Sequence, residues 1–324
     1  MVIEEISFKI RSLLFSMSTQ NPPASAPVLI FGEVLADVFP ERSVLGGAPF
    51  NVACHLSAFA MNPLFITCTG DDPLKEELLL RMHQLGMNTE GVQIDAEYPT
   101  GQVDVELNAQ GSHRFIIKAD QAYDHIDAGK AIAFAVQHQP QLFYFGTLAQ
   151  RGEVSRQALR ALQELLNCKR MSDINLRPPW FDLDITVQTL AAADVVKMSR
   201  EELDLLAQEL QLPGADAEQW ARELAERYQL ERLLITCGAD GAWQWQPDKA
   251  ILKARPAGSS RPIVDTIGAG DAFSAVILLG MLNNWPDPLS LARANTFARS
   301  ICGIRGALPA DTAFYTPFLE AWYG

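Results

Sequence analysis

The sequence predicts an α/β fold with a doubly wound, mainly parallel sheet. Short apolar runs that end in small or polar residues recur, as in VLIFGEVLADVF (28–39), LFYFGT (142–147), AAADVVKMS (191–199) and RLLITCGADGA (232–242). Such runs are typical of parallel strands buried on both faces. Amphipathic stretches separate them at 50–60, 74–86, 155–167 and 217–228. This alternation of strand and helix is the pattern of doubly wound sheets.

Composition and charge narrow the classes of partner. The 324 residues are 48% hydrophobic and 20% charged, and 26 Lys and Arg against 39 Asp and Glu give a net charge of −13. That charge repels nucleic acid and anionic membranes, so we expect neither as a partner. Apolar runs are shorter than the ~18 residues of a membrane span. Local donors must therefore hold any phosphorylated ligand.

The cysteines predict the cellular compartment, and the composition of the N-terminus predicts where the folded domain begins. The five cysteines are widely spaced without a CxxC pair, which predicts reduced thiols in a cytoplasmic protein. The five histidines do not cluster at the spacing of a zinc site. Residues 1–27 lack the features of a secretory signal, and 18–27 are polar and Pro-rich. We expect a disordered N-terminal extension over 1–27, with Met17 as an alternative start, and one domain over 28–324.

One segment interrupts the α/β alternation. Val103, Val105 and Leu107 alternate with polar residues, a glycine-containing turn follows, and 115–117 supply a second apolar arm. This predicts an antiparallel hairpin around 97–120. It is either an edge of the main sheet or a small β lid over the strand ends, where open α/β sheets bind ligands.

The hairpin leaves two further questions open. Its apolar face could pack against a second lid and form a homodimer, or it could pack on its own domain, since both give the same alternation. His113 and Arg114, beside the turn, would either close over a substrate or be solvated.

The stretch VDTIGAGDAF (264–273) predicts an anion site at a helix start. Gly268, Ala269 and Gly270 leave backbone N–H groups unobstructed at the positive end of a helix. Asp271 would repel a bound phosphate, so its carboxylate either caps the helix or faces a group that loses a proton. The second role suits phosphoryl transfer, in which a carboxylate orients the attacking hydroxyl.

A second glycine-rich helix start lies in VLGGAPFNVA (44–53). Gly46 and Gly47 precede an apolar helical stretch that contains Asn51, an amide that is costly to bury unless it is hydrogen-bonded. Asp37 ends the first predicted strand, at the carboxyl edge of the sheet. Asp37 and Asn51 could bind adjacent hydroxyls of a sugar, or each could cap a turn.

Residues 46–53 and 265–273 together resemble the two signatures of the ribokinase-type (PfkB) carbohydrate kinases, and the combination is more specific than either half. Four segments are similar to the fructokinase branch: GEVLAD (32–37), 99–126, FGTLAQR (145–151) and DINLRPPW (173–180). KMSREEL (197–203) and LLITCGADGA (233–242) resemble the nucleotide side. The likeness covers about 28–310. It implies ATP-dependent phosphorylation of a sugar hydroxyl by a ribokinase-like α/β domain with a β lid.

The resemblance also implies roles for residues around the reaction. Asp271 would be the base, and the anion hole would be the amides of Gly268, Ala269 and Gly270. The sugar would be bound by Asp37, Gly47 and Asn51. Arg177 would face the sugar or the phosphate, or would pair with Asp173 for structure.

On the nucleotide side, the resemblance places three small residues along ATP: Thr236, Gly238 and Gly241. Asn295 would approach the adenine, with a surface Asn as the alternative. Glu202 would organise Mg²⁺ through water, although on its own it looks like a solvated helix face. Asp265, with carbonyls of 301–306, corresponds to a monovalent cation (K⁺) site in some relatives.

The sequence departs from the family pattern at two positions. The family usually has Gly at the position of Ala60, and often at that of Val276; Ala tolerates φ > 0 far less than Gly.

Fructose is the favoured substrate, with 2-keto-3-deoxygluconate, ribose or a nucleoside as alternatives. A non-catalytic sugar- or nucleotide-binding protein is the alternative from another class, against which the intact Asp271 and its glycines argue.

Overall fold

The computed structural model describes residues 27–39, 42–107, 113–256 and 262–324. Within these ranges the strands are β1 (Val28–Phe31), β2 (Leu35–Phe39), β3 (Arg42–Gly46), β4 (Leu64–Gly70), β5 (Val92–Asp95), β6 (Gly101–Leu107), β7 (His113–Ile117), β8 (Leu142–Gly146), β9 (Lys169–Asp173), β10 (Val195–Ser199), β11 (Arg232–Thr236), β12 (Ala242–Trp245) and β13 (Leu252–Ala254). The helices are α1 (Ala48–Ala58), α2 (Pro73–Leu85), α3 (Ala128–His138), α4 (Glu153–Leu165), α5 (Leu183–Ala192), α6 (Arg200–Glu209), α7 (Ala217–Arg227), α8 (Ala269–Leu282), α9 (Asp287–Ile301) and α10 (Thr316–Tyr323).

A nine-stranded sheet in the order β13-β12-β11-β10-β9-β8-β1-β4-β5 forms the body of the molecule. From β5 to β11 neighbouring strands are parallel, and only the β11–β12 and β12–β13 pairs in this sheet are antiparallel. The four amphipathic stretches that the sequence places between strands are helices α1, α2, α4 and α7, each within two residues of its expected ends. The doubly wound, mainly parallel sheet is therefore confirmed.

Two hydrophobic cores lie on the two faces of this sheet. Along β1, Leu29 and Phe31 pack in one core while Val28 and Ile30 pack in the other, because alternate side chains of a strand point to opposite faces. Helices α3, α4, α6 and α7 supply the first core, and α1, α2, α8 and α9 supply the second. Each fully buried large aliphatic or aromatic side chain contributes roughly 1.5–3 kcal/mol. The second core packs α1 and α8 against the sheet, and these are the helices that follow the two glycine-rich stretches at 46–47 and 268–270.

A separate four-stranded sheet, in the order β3-β2-β6-β7, contains the expected hairpin. Strands β6 and β7 are antiparallel, β2 is parallel to β6, and β3 is antiparallel to β2. The hairpin is therefore not an edge of the main sheet, and that alternative is wrong. The turn between β6 and β7, at 108–112, and the side chains of His113 and Arg114 lie outside what the structure describes.

The single strand expected at 28–39 is also wrong, because the chain leaves the main sheet after Phe31 and enters the small sheet at Leu35. Gly32 makes the break with φ 153, and a β-carbon there would lie 2.5 Å from Pro49 Cγ. A side chain at position 32 would therefore push α1 away. Asp37 consequently lies in β2 of the small sheet, not at the edge of the main sheet.

The small sheet is tied to the main body at both ends of the β6–β7 hairpin. The Thr100 backbone N–H and hydroxyl each donate to the Asp72 carboxylate at 2.8 Å, at the start of α2. At the other end, Arg151 donates to the Lys118 carbonyl at 2.7 Å, and the Trp180 indole donates to the Ile117 carbonyl at 3.1 Å. The sheet thus has fixed attachments from which it can cover the strand ends.

Three remaining observations bear on the sequence-based expectations. All five cysteines are free thiols. Among the described residues, none of the helices has the length and apolarity needed to cross a membrane. The expected N-terminal extension and Met17 fall, except for Pro27, outside the described residues.

Candidate active site

Helix α8 begins at the glycine-rich turn that the sequence predicts to be an anion site. Gly268 is its N-cap with φ 74, and a β-carbon there would lie 2.3 Å from Ala307 Cβ. Only glycine fits this position without strain. The Ala269 amide donates to the Thr266 carbonyl at 3.3 Å, so within the described residues the amides of Gly268 and Gly270 are the ones left free for an anion. Of the three proposed anion-hole amides, that of Ala269 is thus already engaged.

Asp271 lies in the first turn of α8 and accepts a hydrogen bond from Asn51 Nδ2 to its Oδ2 at 2.7 Å. The helix has no side-chain cap, so the alternative that Asp271 caps it is wrong. Burial raises the pKa of Asp271, while the Asn51 hydrogen bond and the charges of Lys197 and Arg177 oppose that rise. Because Oδ2 already accepts this hydrogen bond, Oδ1 is the oxygen more available to accept a proton.

Asn51 brings the two glycine-rich helix starts together. It lies in α1, is only 5% exposed, and its Oδ1 has no hydrogen-bond partner among the described residues. Because its amide nitrogen binds Asp271, the turn-capping alternative for Asn51 is wrong. Gly47, the N-cap of α1, has φ 107, and a β-carbon there would lie 2.7 Å from the Glu33 carbonyl oxygen. Gly47 thus allows the turn after β1 to lie directly against the start of α1.

Glu33 is a site residue that the sequence analysis missed. Its side chain is 3% exposed, and its Oε2 lacks a hydrogen-bond partner within the described residues. Burial raises its pKa to about 7, and the negative charge of Asp271 adds to the rise, whereas backbone amides of Glu33 and Ala48 and the Arg177 charge oppose it. The signal was present in GEVLAD, where Glu33 directly follows a buried strand.

Asp37 in the small sheet and Arg177 in the loop after β9 interact electrostatically. Asp37 is half-buried in β2, opposite Val44 and Val103 in register, so it shares a face with apolar residues. Burial raises its pKa to about 6, and Arg177 opposes the rise. The exposed Arg177 likewise acts on Glu33 and Asp271. The alternative that Arg177 pairs with Asp173 is wrong, because Asp173 binds Lys197.

The second missed group is a buried ion pair under α8. Lys197 Nζ lies 3.1 and 3.0 Å from the two carboxylate oxygens of Asp173, and Ser274 Oγ donates to Asp173 Oδ2 at 3.0 Å. Lys197 and Asp173 are 6% and 1% exposed. A lysine inside an apolar strand run such as VVKMS gives no sign of its partner, which is 24 positions earlier in the chain.

The residues assigned to the nucleotide lie around the end of β11. Gly238 has φ 53 with no atom within 4 Å of where a β-carbon would stand, so it borders open space. Gly241 has φ 88, and a β-carbon there would lie 2.3 Å from the Ala254 carbonyl, so the turn itself requires glycine. Thr236 closes the strand with a long 3.4 Å contact from Oγ1 to the Met198 carbonyl.

Asn295 is buried at 5% exposure and donates to the carbonyls of Ala254 and Leu291 at 3.2 and 2.9 Å. The alternative of a surface Asn is therefore wrong. Its amide nitrogen holds β13 against α9, beside the turn that contains Gly241.

Both residues assigned to a metal are half-buried and accept hydrogen bonds from backbone amides. Glu202 accepts from the backbone amides of Leu176 and Ser199, both at 2.7 Å, and so joins the ends of β9 and β10. The alternative of a solvated helix face is wrong for Glu202. Asp265 accepts from the amides of Ile267 and Gly306 at 3.0 Å, which places it beside the 301–306 segment.

The donor set limits how a metal could bind. Among the described residues, no three His, Cys, Asp or Glu side chains come together as a metal site. Mg²⁺ keeps much of its water shell and is commonly bound through one or two carboxylates plus substrate phosphates. A carboxylate such as Glu202, whose oxygens each retain a lone pair, fits that mode, and a dedicated protein cage does not.

The fold and the site define a class. A doubly wound sheet with a β lid, in which the half-buried Asp271 carboxylate lies between two glycine-rich helix starts, is the architecture of a carbohydrate kinase. The model of the "pfkB family carbohydrate kinase" matches residues 23–312. The chain belongs to that family, and the resemblance identified from the sequence is confirmed.

Curated relatives and solved structures agree with this assignment. The chain is 29% identical over 300 residues to a fructokinase of Salmonella typhimurium, covering 86% of this chain and 92% of the relative. It is 30% identical to a fructokinase of Vibrio alginolyticus, covering 78% and 82%. A fructokinase double mutant from Vibrio cholerae O395, solved with fructose, ADP and potassium ion, superposes with a TM-score of 0.75 at 21% identity, covering 92% of this chain and 99% of that one. Aminoimidazole riboside kinase from Salmonella enterica gives a TM-score of 0.70 at 23% identity, covering 90% and 99%.

Proposed function

We propose that this protein is a fructokinase, which transfers the γ-phosphoryl group of ATP to a hydroxyl of fructose. The observation that carries the proposal is the 2.7 Å hydrogen bond from Asn51 to Asp271. It places one carboxylate between the two glycine-rich helix starts, where it can contact both a sugar hydroxyl and a phosphoryl group.

The sugar binds on the α1 side, where acceptors are concentrated. Sugar hydroxyls donate hydrogen bonds, and the half-buried Asp37 and the unpartnered oxygens of Glu33 and Asn51 can accept them. Gly47 brings backbone close to this space. A pocket that hydrogen-bonds each hydroxyl discriminates strongly against analogues that lack one.

Asp271 is the general base. Its orientation is set by Asn51, so Oδ1 receives the proton of the attacking hydroxyl as the bond to phosphorus forms. In a loose phosphoryl-transfer transition state the proton moves late, and the main task of the carboxylate is alignment. Positioned bases contribute typically 10²–10⁴-fold in rate.

The phosphoryl group and nucleotide bind along α8 and the end of β11. The free amides of Gly268 and Gly270, at the positive end of the helix, bind the transferring group. We assign the rest of the nucleotide to the turn of Thr236, Gly238 and Gly241, near Asn295. Bound Mg²⁺ would neutralise phosphate charge, with Glu202 holding it through water. A monovalent cation such as K⁺ would bind at Asp265 with carbonyls of 301–306.

The proposal extends to the lid and the cellular setting. Closing the small sheet over the sugar excludes the water that would otherwise compete for the phosphoryl group. Pairing of two such lids would form a homodimer. Five free thiols suit a cytoplasmic protein.

A second candidate is a kinase for a sugar acid such as 2-keto-3-deoxygluconate. The exposed Arg177 favours it, because its guanidinium faces the carboxylate-lined pocket and matches a substrate carboxylate. In that case fructose would be a poor substrate, and Arg177 would control the KM of the sugar acid.

The test is ADP release with Mg·ATP and a panel of fructose, ribose, 2-keto-3-deoxygluconate, glucose and adenosine. Turnover of fructose that is lost in Asp271→Asn, a variant able to keep the Asn51 contact, would support the proposal. Turnover of the sugar acid alone would favour the second candidate. A folded wild-type protein that turns over none of the panel would refute both and favour a non-catalytic binding protein.

A further inference from the structure

Lys197 and Asp173 form an ion pair that the sheet itself aligns. In the parallel β9–β10 pair they are direct register partners, and both side chains are almost fully buried. Ser274, one turn after Asp271 on α8, donates to the same Asp173 oxygen that Lys197 contacts. The pair therefore ties the first turns of α8 to the centre of the sheet.

The ammonium group lies directly against the anion site. A β-carbon built on Gly270 would stand 3.0 Å from Lys197 Nζ. The sequence suggests that glycine is needed here to expose an amide to a phosphate. The structure adds a second reason, because the absent side chain makes room for a buried cation behind that amide.

The charges in this region favour a permanent cation at Lys197. Burial lowers its pKa, but the facing carboxylates of Asp173, Glu202 and Asp271 outweigh burial, and the net direction is upward. The other groups that face Asp271 are Glu33, Asn51, Tyr144, Asp173 and Arg177. A buried ion pair is weak evidence of stabilisation, since well-packed neutral residues often replace it without loss. The location of the pair therefore points to a use other than stability.

We propose that Lys197 is a positioning residue for phosphoryl transfer, whose buried ammonium supplies a fixed positive charge behind the anion site at the start of α8. It acts through Gly270 and Asp271 without touching either substrate. The charge offsets the negative charge of the phosphoryl group in a site that excludes water, where fixed charges act most strongly. It also keeps Asp271 ionised, as a base must be. The inference rests on the proposed function in taking the anion to be a phosphoryl group.

Three variants separate this role from a structural one: Lys197→Met, Asp173→Asn and the double variant. Removing the cation should lower kcat about 10- to 100-fold, leave the KM of fructose unchanged, and move the acid limb of the pH–rate profile to higher pH. Removing the neighbouring carboxylate should move that limb to lower pH. The double variant, in which a neutral pair replaces the ions, should fold and keep the low kcat of Lys197→Met.

If the ion pair only stabilised the fold, the three variants would show different activities and pH–rate profiles. Both single variants would then lose activity without opposite shifts of the acid limb, and the double variant would recover wild-type kcat; either result would overturn the proposal.

A binding measurement makes the test independent of turnover. Calorimetric titration with the β,γ-imido analogue of ATP should show an affinity about tenfold weaker for the double variant than for wild type. Equal affinities would overturn the role of Lys197 even if wild type phosphorylates none of the sugars. A wild-type protein that phosphorylates none of the sugars would itself refute the proposed function. Failure of the fructokinase proposal can therefore be distinguished from failure of the proposed role of Lys197.

Discussion

The two glycine-rich helix starts look alike in the sequence and differ in the charge buried beside them. At α1, Gly47 lies against the backbone carbonyl of Glu33, and the buried Glu33 carboxyl group interacts with the Ala48 amide in the first turn while its Oε2 is unpartnered within the described residues. At α8, Gly270 lies against the ammonium group of Lys197. Both helices present the positive end of their dipole, so the dipole alone cannot decide which ligand binds where.

This difference indicates that buried side-chain charge determines which helix start binds the sugar and which binds the phosphate. An acceptor-rich, negative pocket favours hydroxyl donors and disfavours phosphate, whereas a cation behind free amides favours phosphate. The hydrogen bond between Asn51 and Asp271 joins the two regions. Variants that remove one element of this arrangement at a time can therefore test it.

The largest expected effect comes from cutting the link between the two regions. Asn51→Leu removes the donor that orients Asp271 and opposes the rise of its pKa. We expect kcat to fall about 10²–10³-fold and the acid limb of the pH–rate profile to move to higher pH, as steady-state kinetics would show. Asn283→Leu, at the far end of α8, removes a comparable amide and should leave kcat within about twofold. Equal losses in both variants would contradict this interpretation.

The second effect concerns the carboxyl group on the α1 side. The folded-state pKa of Glu33, about 7, is above its ordinary value of 4.5. Its contribution to stability is therefore present below about pH 4.5 and is lost as pH rises through 7. Glu33→Gln, which mimics the protonated form, should be more stable than wild type by up to about 3 kcal/mol at pH 8 and equally stable near pH 4. Denaturant unfolding at several pH values measures the difference. A difference that does not vary with pH would show that folding leaves the pKa of Glu33 at its ordinary value.

The third effect compares the glycines themselves. Gly47→Ala places a β-carbon 2.7 Å from a backbone oxygen at φ 107, and we expect it to lower the free energy of unfolding by about 1–3 kcal/mol. Gly270→Ala meets only the ammonium end of the Lys197 side chain. Its unfolding free energy should change by less than about 1 kcal/mol, while its kcat falls about tenfold. Thermal unfolding and steady-state kinetics of the two variants measure these effects. A Gly270→Ala variant with wild-type kcat would show that the cation behind this amide does not distinguish the two sites.

The smallest effect lies at the opposite ends of the same helices. Ala60, just beyond α1, has φ 62, and Asn284, just beyond α8, has φ 51. Alanine pays for this conformation with roughly 1–2 kcal/mol, whereas asparagine adopts it more readily. Ala60→Gly should therefore stabilise the protein by about 0.5–1 kcal/mol after the entropy of the unfolded glycine is included. Asn284→Gly is the matched control, and it should change stability by less than that.

Features that depend on local sequence were predictable. The parallel sheet follows from recurring apolar runs, and both helix starts follow from glycine pairs before apolar helical stretches. Ala60 was identified as a departure because the family usually has glycine there, and the structure gives it the positive φ that makes glycine preferable.

Features that depend on strand register and tertiary position were not predictable from the sequence. Gly32 and Glu33 interrupt the apolar run at 28–39, but nothing local shows that the chain changes sheets there, so the transfer of Asp37 to the small sheet could not be foreseen. Lys197 and Asp173 meet only because β9 and β10 pair in one register. Glu33 and Asp37 are equally acidic in the sequence, and only the packing of α1 shows which is fully buried.

The most direct test of this account is a calorimetric comparison of two ligands in two variants. Fructose and the β,γ-imido analogue of ATP, the latter with Mg²⁺, would be titrated into Glu33→Gln and into the Asp173→Asn/Lys197→Met double variant. We predict that Glu33→Gln weakens binding of fructose and leaves the analogue unchanged, while the double variant weakens the analogue and leaves fructose unchanged. Loss of both ligands in both variants, or the reverse pairing, would contradict the claim that buried charge assigns sugar to α1 and phosphate to α8.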